Sequence, residues 1–92
     1  MSDPVRVFQS ASFARLYKRL HTGQRREVDA AVAAIVADPL AGEPKKGDLQ
    51  GVYVYKFRAN RQLMLLAYEF DPATRMLLLL GSHENFYQEL KR

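Results

Sequence analysis

The spacing of apolar residues changes at Gly51, and this change restricts the fold more than any other feature of the sequence. Before Gly51, two stretches place apolar residues three or four positions apart, which predicts amphipathic helices. After it, apolar and polar residues alternate over "VYVYKFR", which predicts a strand. Helices followed by a run of strands are typical of an α+β domain with a single sheet.

Both predicted helices have one apolar stripe. The first runs through "SFARLYKRL", with Ser10 or Ser12 as its N-cap, and "HTGQ" separates it from the second. The second covers residues 24–37, with Thr22 as its N-cap. Pro39 ends it, because proline disfavours helical geometry in the residue that precedes it. The two helices are therefore expected to form a hairpin with apolar faces turned the same way.

Four strands are predicted, one before the helical hairpin and three after it. The first covers residues 5–10 and the others are "VYVYKFR", "RQLMLLAYEF" and "RMLLLL". A tight turn at Ala59-Asn60 and a type I turn at residues 71–74 join the last three into an antiparallel meander. Residues 40–51 read as a loop and the tail as a short helix. The predicted fold is one sheet with the helices on one face.

The strand "VYVYKFR" has two chemically different faces. Tyr53, Tyr55 and Phe57 share one face, and Lys56 and Arg58 share the other. We expect the aromatic face to meet the helical hairpin. Since two unpaired cations are costly to bury, the opposite face is expected to be exposed and positively charged.

Positive charge is concentrated in one short segment. The chain has 14 Lys and Arg residues against 10 Asp and Glu, a formal net charge of +4. Within residues 44–61, five cations outnumber the one acid, Asp48, by four, which equals the whole excess. These cations are Lys45, Lys46, Lys56, Arg58 and Arg61. The segment indicates either a site for a polyphosphate partner or a solvated loop followed by an ordinary strand.

Length and composition exclude several classes of protein. Ninety-two residues are expected to form a single domain, residues 1–92. With no cysteine, disulfide and thiolate chemistry are excluded. The N-terminus lacks a signal-peptide pattern, and the longest apolar run is shorter than the roughly 20 residues that span a bilayer. A cytoplasmic protein without membrane association, metal or other cofactor is expected.

His83 is one of two histidines and stands where the last predicted strand ends, in "LLLLGSHENFY". RNA cleavage without a metal needs a base for the 2′-hydroxyl, positive charge for the phosphorane and an acid for the departing oxygen. His83 fits the acid, since an unperturbed imidazole titrates near pH 6.5. The planar fork of Arg58 fits the phosphorane, and Lys56 fits phosphate binding or, if desolvated, the base. The alternative for His83 is a hydrogen bond to a backbone carbonyl.

Five further residues are expected to bind RNA. Lys45 and Lys46 suit contacts with the phosphate backbone, Arg61 lies beside the predicted turn, and Phe86 and Tyr87 suit stacking on a base. Structural alternatives exist for several of these candidates. Lys56 and Arg58 would pair with an acid on the next strand, Glu69, and Phe86 would pack the tail on the core.

The segments "GDLQGVYVYKFR", "LLAYEFD" and "LLLLGSHENFYQELKR" resemble the RelE/ParE superfamily of bacterial type II toxins over nearly the whole chain. "GSHENFY" is similar to the ending of YafQ-like mRNA interferases. The resemblance implies a toxin that a cognate antitoxin keeps silent and that, once free, enters the ribosome, cuts mRNA and arrests growth. It also implies that His83, Tyr87, Lys46 and Lys56 occupy positions used by the family.

Two departures from that pattern keep other functions open. RelE-type nucleases often carry an arginine shortly before the tyrosine of "LAYEFD", where this chain has Met64, Leu65 and Leu66. A YafQ-like site also leads one to expect a second histidine near the cationic surface of Lys56 and Arg58, and none is expected there in this chain. The alternatives are a ParE-like toxin that inhibits DNA gyrase by binding and a domain that only binds its antitoxin. The expected partners are therefore an antitoxin with either ribosome and mRNA or DNA gyrase.

Overall fold

The fold is a single five-stranded sheet with a helical hairpin on one face. The computed structural model describes residues 4–82 and 86–91. Its helices and strands are, in order, β1 (Arg6–Gln9), α1 (Ala11–Arg19), α2 (Thr22–Ala37), β2 (Glu43–Pro44), β3 (Tyr53–Ala59), β4 (Gln62–Asp71), β5 (Thr74–Ser82) and α3 (Phe86–Leu90). Two one-turn 3-10 helices cover Pro39–Ala41 and Gly47–Leu49. In the described part of the chain, no helix is long and apolar enough to span a membrane.

The strand order in the sheet is β1-β5-β4-β3-β2. Strands β2 to β5 pair antiparallel, whereas β1 pairs parallel to β5 at one edge. The predicted α+β fold, with a helical hairpin and a three-stranded meander, is confirmed. β2 is an addition within the segment predicted to be a loop, since two residues are too few to show an alternating pattern.

The first predicted cap also holds together the two ends of the chain. The hydroxyl of Ser10 accepts a hydrogen bond from the Phe13 backbone N–H at 3.0 Å and donates one to the Leu78 carbonyl at 2.6 Å. α2 begins at Thr22, one residue earlier than its predicted cap would allow, and His21 takes the N-cap position without a side-chain bond. The α1–α2 connection is therefore only two residues long, Leu20 and His21.

The face of the sheet that α1 and α2 cover is here called the helix face. Its aromatic residues on β3, Tyr53, Tyr55 and Phe57, pack partly buried against a core of helix and strand side chains. The fully buried members of that core include Ile35 from α2 and Leu66 from β4. The predicted orientation of β3 is confirmed, because its alternating pattern leaves only one face apolar enough to meet the helices.

The run of four leucines in β5 interrupts strict alternation through a bulge. Ala67 of β4 pairs with Leu79, but the next residue of β4 pairs with Leu77, so Leu78 has no partner across the ladder. Leu77 and Leu80 therefore both pack into the helix-face core, and Leu78 and Leu79 both pack on the opposite side. The bulge lets this apolar run contribute to two cores.

Two polar side chains fasten α2 to the sheet. The buried guanidinium of Arg75 donates to the carbonyls of Ile35 at 2.8 Å and Val36 at 3.1 Å, so it satisfies acceptors in the last turn of the helix. The Tyr68 hydroxyl donates to the Pro39 carbonyl at 2.6 Å and accepts from the Gly42 N–H at 3.0 Å. Burial raises the pKa of Tyr68, which keeps this donor protonated.

Candidate nucleic-acid interface

The face opposite the helix face is here called the cation face, after Lys56 and Arg58. Both side chains are exposed, and they lie opposite Leu65 and Leu63 of β4. Residues two apart on a strand point the same way, and the strand rises about 3.4 Å per residue, so the two cations are roughly 7 Å apart along β3. The predicted exposure of this face at Lys56 and Arg58 is confirmed.

Neither cation is neutralised by the predicted acidic partner. Lys56 lies opposite Leu65, and Glu69 is four residues further along β4, roughly 13 Å away. Glu69 instead lines a groove at the other end of the face, with Gln50 and Val52. Within residues 4–82 and 86–91, Lys56 and Arg58 form no ion pair.

Arg61 lies in the β3–β4 turn rather than beside it. Asn60 and Arg61 have φ angles of 54° and 67°, which places both in the left-handed region typical of a two-residue hairpin turn. The turn is therefore one residue later than predicted, because Ala59 is buried and pairs with Gln62. Arg61 is exposed at the end of the hairpin that carries Arg58.

Lys45 and Tyr87, far apart in sequence, come together beside the cation face. The Lys45 ammonium lies 5.1 Å from the centre of the Tyr87 ring and 3.7 Å from a carboxylate oxygen of Glu43. The Lys45 N–H also donates to the Val52 carbonyl at 2.9 Å, which anchors its loop at the start of β3. Lys46, by contrast, is exposed and precedes the second 3-10 helix.

Phe86 is a core residue and requires a correction of its proposed stacking role. Its side chain is 3% exposed and packs against Val54, Leu65 and Leu79 on the cation-face side of the sheet. A base cannot stack on a ring that is sealed in this way. The alternative interpretation, in which Phe86 packs the tail on the core, agrees with this position, and Phe86 leaves the set of residues proposed to contact RNA.

His83 lies outside the described residues, which stop at Ser82 and resume at Phe86. The end of β5 nonetheless has a defined place in the sheet. Gly81 pairs with Leu65, which pairs with Lys56, so Gly81 and Lys56 lie on one row across three strands. With strands about 4.8 Å apart, the end of β5 is roughly 10 Å from the backbone of Lys56.

Comparison with known proteins assigns the chain to a family. The family model described as "ParE-like toxin of type II bacterial toxin-antitoxin system" matches residues 7–91. The chain belongs to the ParE-like toxin family. It is thus a toxin of a type II toxin–antitoxin system, as its sequence motifs predicted. No curated protein matches this toxin.

Solved structures of RelE-type toxins share the fold of this ParE-like toxin. A mutant of the E. coli toxin RelE in the free state aligns with a TM-score of 0.73 and 14% identity over 95% of this chain and 94% of that one. A YoeB/ParE toxin from Agrobacterium tumefaciens gives 0.70 and 17% over 86% and 99%. The RelBE complex from Mycobacterium tuberculosis gives 0.62 and 24% over 88% and 100%. At these identities the likeness concerns the fold alone.

In this ParE-like toxin, the positions before Tyr68 belong to the core. Met64 and Leu66 are buried on the helix face, and Leu65 is buried between Lys56 and Gly81 on the cation face. At the positions where RelE-type nucleases often carry an arginine, this chain therefore has buried apolar side chains. Tyr68, from the "LAYEFD" motif, is a structural residue of the helix face and does not reach the cation face.

Sequence reasoning missed one residue of the interface, Glu43. Its carboxylate is the only acid paired with a cation of the interface within the described ranges 4–82 and 86–91. The residue stands in β2 next to Pro44, where proline and the short strand length conceal the pairing with β3. Spacing in "GEPKK" does bring Glu43 and Lys45 to the same side of an extended segment, and this was the available signal.

Proposed function

We propose that this ParE-like toxin is an mRNA interferase that cleaves RNA on the cation face without a metal. The observation that carries the proposal is the pair of exposed cations Lys56 and Arg58, which form no ion pair within residues 4–82 and 86–91 and share their sheet face with a cluster of apolar side chains. A spacing of roughly 7 Å along β3 fits two successive contacts with a nucleic-acid backbone. When a ligand covers this face and excludes water, the apolar surroundings strengthen the attraction between the two cations and phosphate.

Arg58 and Lys56 have separate parts in the proposed reaction. The Arg58 guanidinium donates two parallel hydrogen bonds to the scissile phosphate and stabilises the charge that develops on the phosphorane. Lys56 either holds the neighbouring phosphate as an ammonium or, once desolvation by the bound RNA has driven its ammonium proton into solvent, takes the proton of the 2′-hydroxyl as a neutral amine. His83, beyond the end of β5, remains the predicted acid for the departing 5′-oxygen.

The remaining cations are proposed to hold the RNA strand. Lys46 and Arg61 are exposed near opposite ends of the β3 segment and suit phosphate contacts. Tyr87 offers a ring next to an ammonium, that of Lys45, and a base that stacks on Tyr87 would lie close to that charge. The substrate strand then passes from the loop of Lys45 along β3 to the hairpin end.

The partners proposed for the toxin follow from its relatives. The similar E. coli and M. tuberculosis RelBE structures are toxin–antitoxin complexes. We propose that a cognate antitoxin likewise binds this chain and keeps it silent, and that the free toxin acts on mRNA in the ribosome and arrests growth. The basic cation face suits the RNA surface of that target.

Inhibition of DNA gyrase by binding is the second candidate function. Burial of Met64, Leu65 and Leu66 favours it, because no arginine from β4 reaches the cation face to assist cleavage. A gyrase inhibitor requires a complementary surface but no acid or base. The two functions therefore differ in whether His83 and Arg58 are needed for toxicity.

Primer extension on total RNA after brief expression in bacterial cells separates the two functions. We expect new 5′ ends within translated messages in less than one doubling time, and their loss in the Arg58→Ala and His83→Ala variants. Intact messages combined with a DNA-damage response would contradict the nuclease and favour gyrase. Growth without either signal would leave antitoxin binding as the function of the chain.

A further inference from the structure

α1 continues the edge of the sheet where β1 stops. β1 ends at Gln9, which pairs with Leu77, about half-way along β5. A hydrogen bond from the Ser10 hydroxyl to a β5 carbonyl fixes this point, and α1 begins at the next residue and packs on β5. The helix therefore flanks the second half of β5, which ends at Ser82.

α1 carries three cations and no acid, in the sequence "ASFARLYKR". Two of the cations, Arg15 and Arg19, are four residues apart, and both are exposed. Side chains at this spacing lie on the same face of a helix, about 5 to 6 Å apart at their Cβ atoms, and two like charges there lower helix stability. Within residues 4–82 and 86–91, neither arginine forms an ion pair. The pair thus adds no electrostatic stability to the helix, which favours a role in binding.

Both arginines line a groove between α1, β5 and α3, here called the α1 groove. Its volume is about 380 Å³, and its lining residues are Ser12, Arg15, Leu16, Arg19, Leu79 and Glu89. Leu79 belongs to the apolar cluster on the cation-face side of the sheet, and Leu16 packs against the same cluster. The α1 groove therefore lies on the cation-face side, with apolar walls beside two guanidinium groups.

A neighbouring groove leads from the α1 groove towards the cation face. Its lining includes Gly81 and Ser82 at the end of β5, and it shares three residues with the α1 groove, Leu16, Leu79 and Glu89. Gly81 lies on the same row of the sheet as Lys56, roughly 10 Å from it. The two grooves thus adjoin, and together they extend from the row of Lys56 to α1.

We propose that the α1 groove binds backbone phosphates of the RNA strand whose scissile phosphate lies on the cation face, with Arg15 and Arg19 as the phosphate ligands. A planar guanidinium matches two phosphate oxygens with parallel hydrogen bonds. Continuity with the cation face favours RNA over an acidic protein segment, since one nucleic-acid strand carries regularly spaced phosphates along the whole path. This site rests on the proposed function, because it takes the ligand of the cation face to be single-stranded RNA.

Glu89 opposes the binding of an anion in the α1 groove. It is exposed on α3 and lines both adjoining grooves. Its carboxylate repels a phosphate held by the two arginines, because like charges at short range raise the energy of the complex. Removal of this charge should therefore strengthen RNA binding, whereas removal of the arginines should weaken it. The two kinds of substitution test the same site in opposite directions.

Oligonucleotides of two lengths test the proposal through binding alone. The probe is labelled 2′-O-methyl RNA, which has no 2′-hydroxyl and so cannot undergo the proposed cleavage. A short strand of about four nucleotides is matched to the cation face, and a long strand of about twelve extends to the α1 groove, both within the roughly 4 to 16 nucleotides of single-strand binding sites. Fluorescence anisotropy with the intact toxin measures both affinities, and we expect the long strand to bind more tightly.

Matched variants locate the phosphate contacts. Arg15→Ala/Arg19→Ala should weaken binding of the long strand about tenfold at low salt and leave the short strand unchanged. It should also reduce the slope of log affinity against log salt by about 1.4 for the long strand, since each phosphate contact on a single strand contributes about 0.7. Lys18→Ala/Arg26→Ala removes the same charge from exposed positions outside the α1 groove and should leave both affinities close to the wild type. Glu89→Gln should tighten binding of the long strand about twofold, and it replaces the arginine variant if that one does not fold.

Several outcomes would overturn the site. These are equal losses with the two strand lengths, equal losses in the two double variants, and a loss confined to a folded RNA hairpin, which would identify structured RNA as the ligand. Binding of the short strand that depends on Arg58 but not on Arg15 and Arg19 would contradict only the α1 groove. A wild type that binds neither strand would overturn both the site and the proposed function. Binding as predicted, with unmodified RNA left uncut, would contradict the nuclease and retain the site.

Discussion

The two faces of the sheet differ in what their side chains do. On the helix face, α1 and α2 cover apolar and aromatic residues from β3, β4 and β5. The polar side chains of Arg75 and Tyr68 form hydrogen bonds with backbone carbonyls at and just beyond the C-terminal end of α2. On the cation face, a second apolar cluster includes Phe86 of α3, and Lys56 and Arg58 stay exposed. Both faces contribute buried residues to the fold, but only the cation face carries the exposed pair Lys56 and Arg58.

The energies of the two faces differ accordingly. Full burial of a large apolar side chain contributes about 1.5 to 3 kcal/mol to stability, whereas even an exposed ion pair contributes only about 0 to 1 kcal/mol. Substitutions on the helix face should therefore lower the free energy of unfolding, and substitutions of the exposed cations should alter function in a folded protein.

The largest expected effect comes from truncating the helix-face core. Leu66→Ala should lower the free energy of unfolding by about 2 to 5 kcal/mol, because Leu66 is fully buried and leaves a cavity. Leu40→Ala, the same change at an exposed leucine, should lower it by less than about 0.5 kcal/mol. Urea denaturation followed by circular dichroism measures both, and equal losses would contradict the assignment of the core.

Removing the Tyr68 hydroxyl should cost less than removing a core side chain. Tyr68→Phe leaves the Gly42 N–H and the Pro39 carbonyl without their partner and should destabilise the fold by about 1 to 3 kcal/mol. Tyr17→Phe, which removes an exposed bond to Asp29, should change stability little.

The raised pKa of Tyr68 also makes the free energy of unfolding depend on pH in alkali. The contribution of the neutral hydroxyl is complete below the pKa of about 10 in the unfolded chain and is lost as pH rises through the higher folded value. The wild type should therefore lose stability in alkali more steeply than Tyr68→Phe. Parallel alkaline denaturation curves for the two proteins would argue against the buried bond.

On the cation-face side, Tyr87 separates stacking from packing. Tyr87→Ala should weaken binding of single-stranded RNA by about 1 to 3 kcal/mol, the range measured for base–aromatic stacking, whereas Tyr87→Phe should retain most of the affinity. Fluorescence anisotropy with a labelled oligoribonucleotide measures both. A loss of equal size in the two variants would assign the effect to the phenol hydroxyl instead of the ring.

The smallest expected effect belongs to the β4–β5 turn, outside both faces. Asp71 accepts hydrogen bonds from the Ala73 and Thr74 N–H groups at 2.8 Å, and these bonds lower the pKa of its carboxyl. Its contribution is present above the unfolded pKa of about 3.9 and is lost as pH falls through the lower folded value. Asp71→Asn should therefore flatten the acid limb of the stability curve below about pH 4 and leave RNA binding unchanged.

The faces of β3 were predictable from sequence because period-two spacing fixes which side chains share a face. Ser10 as a helix cap, Pro39 as a helix stop and the meander were predictable for similarly local reasons. The family followed from the motifs of β3, β4 and the tail.

The remaining features depend on pairing across the chain and leave little local signal. The bulge at Leu78 is indistinguishable from a plain leucine run until the register with β4 is known. The contact between Lys45 and Tyr87 joins residues more than forty positions apart. Burial of Phe86 depends on where α3 packs against the sheet. The distance between Glu69 and Lys56 depends on the register of β3 with β4.

The central claim is that Lys56 and Arg58 serve RNA cleavage and not the fold. The most direct test is the rate of message cleavage on translating ribosomes by the Lys56→Ala/Arg58→Ala double variant, measured beside its thermal unfolding. Loss of one charge-stabilising group at a reaction centre costs about a hundredfold to a thousandfold in rate. We predict at least that loss with an unfolding midpoint close to the wild type. Cleavage at the wild-type rate by the folded double variant would contradict the account.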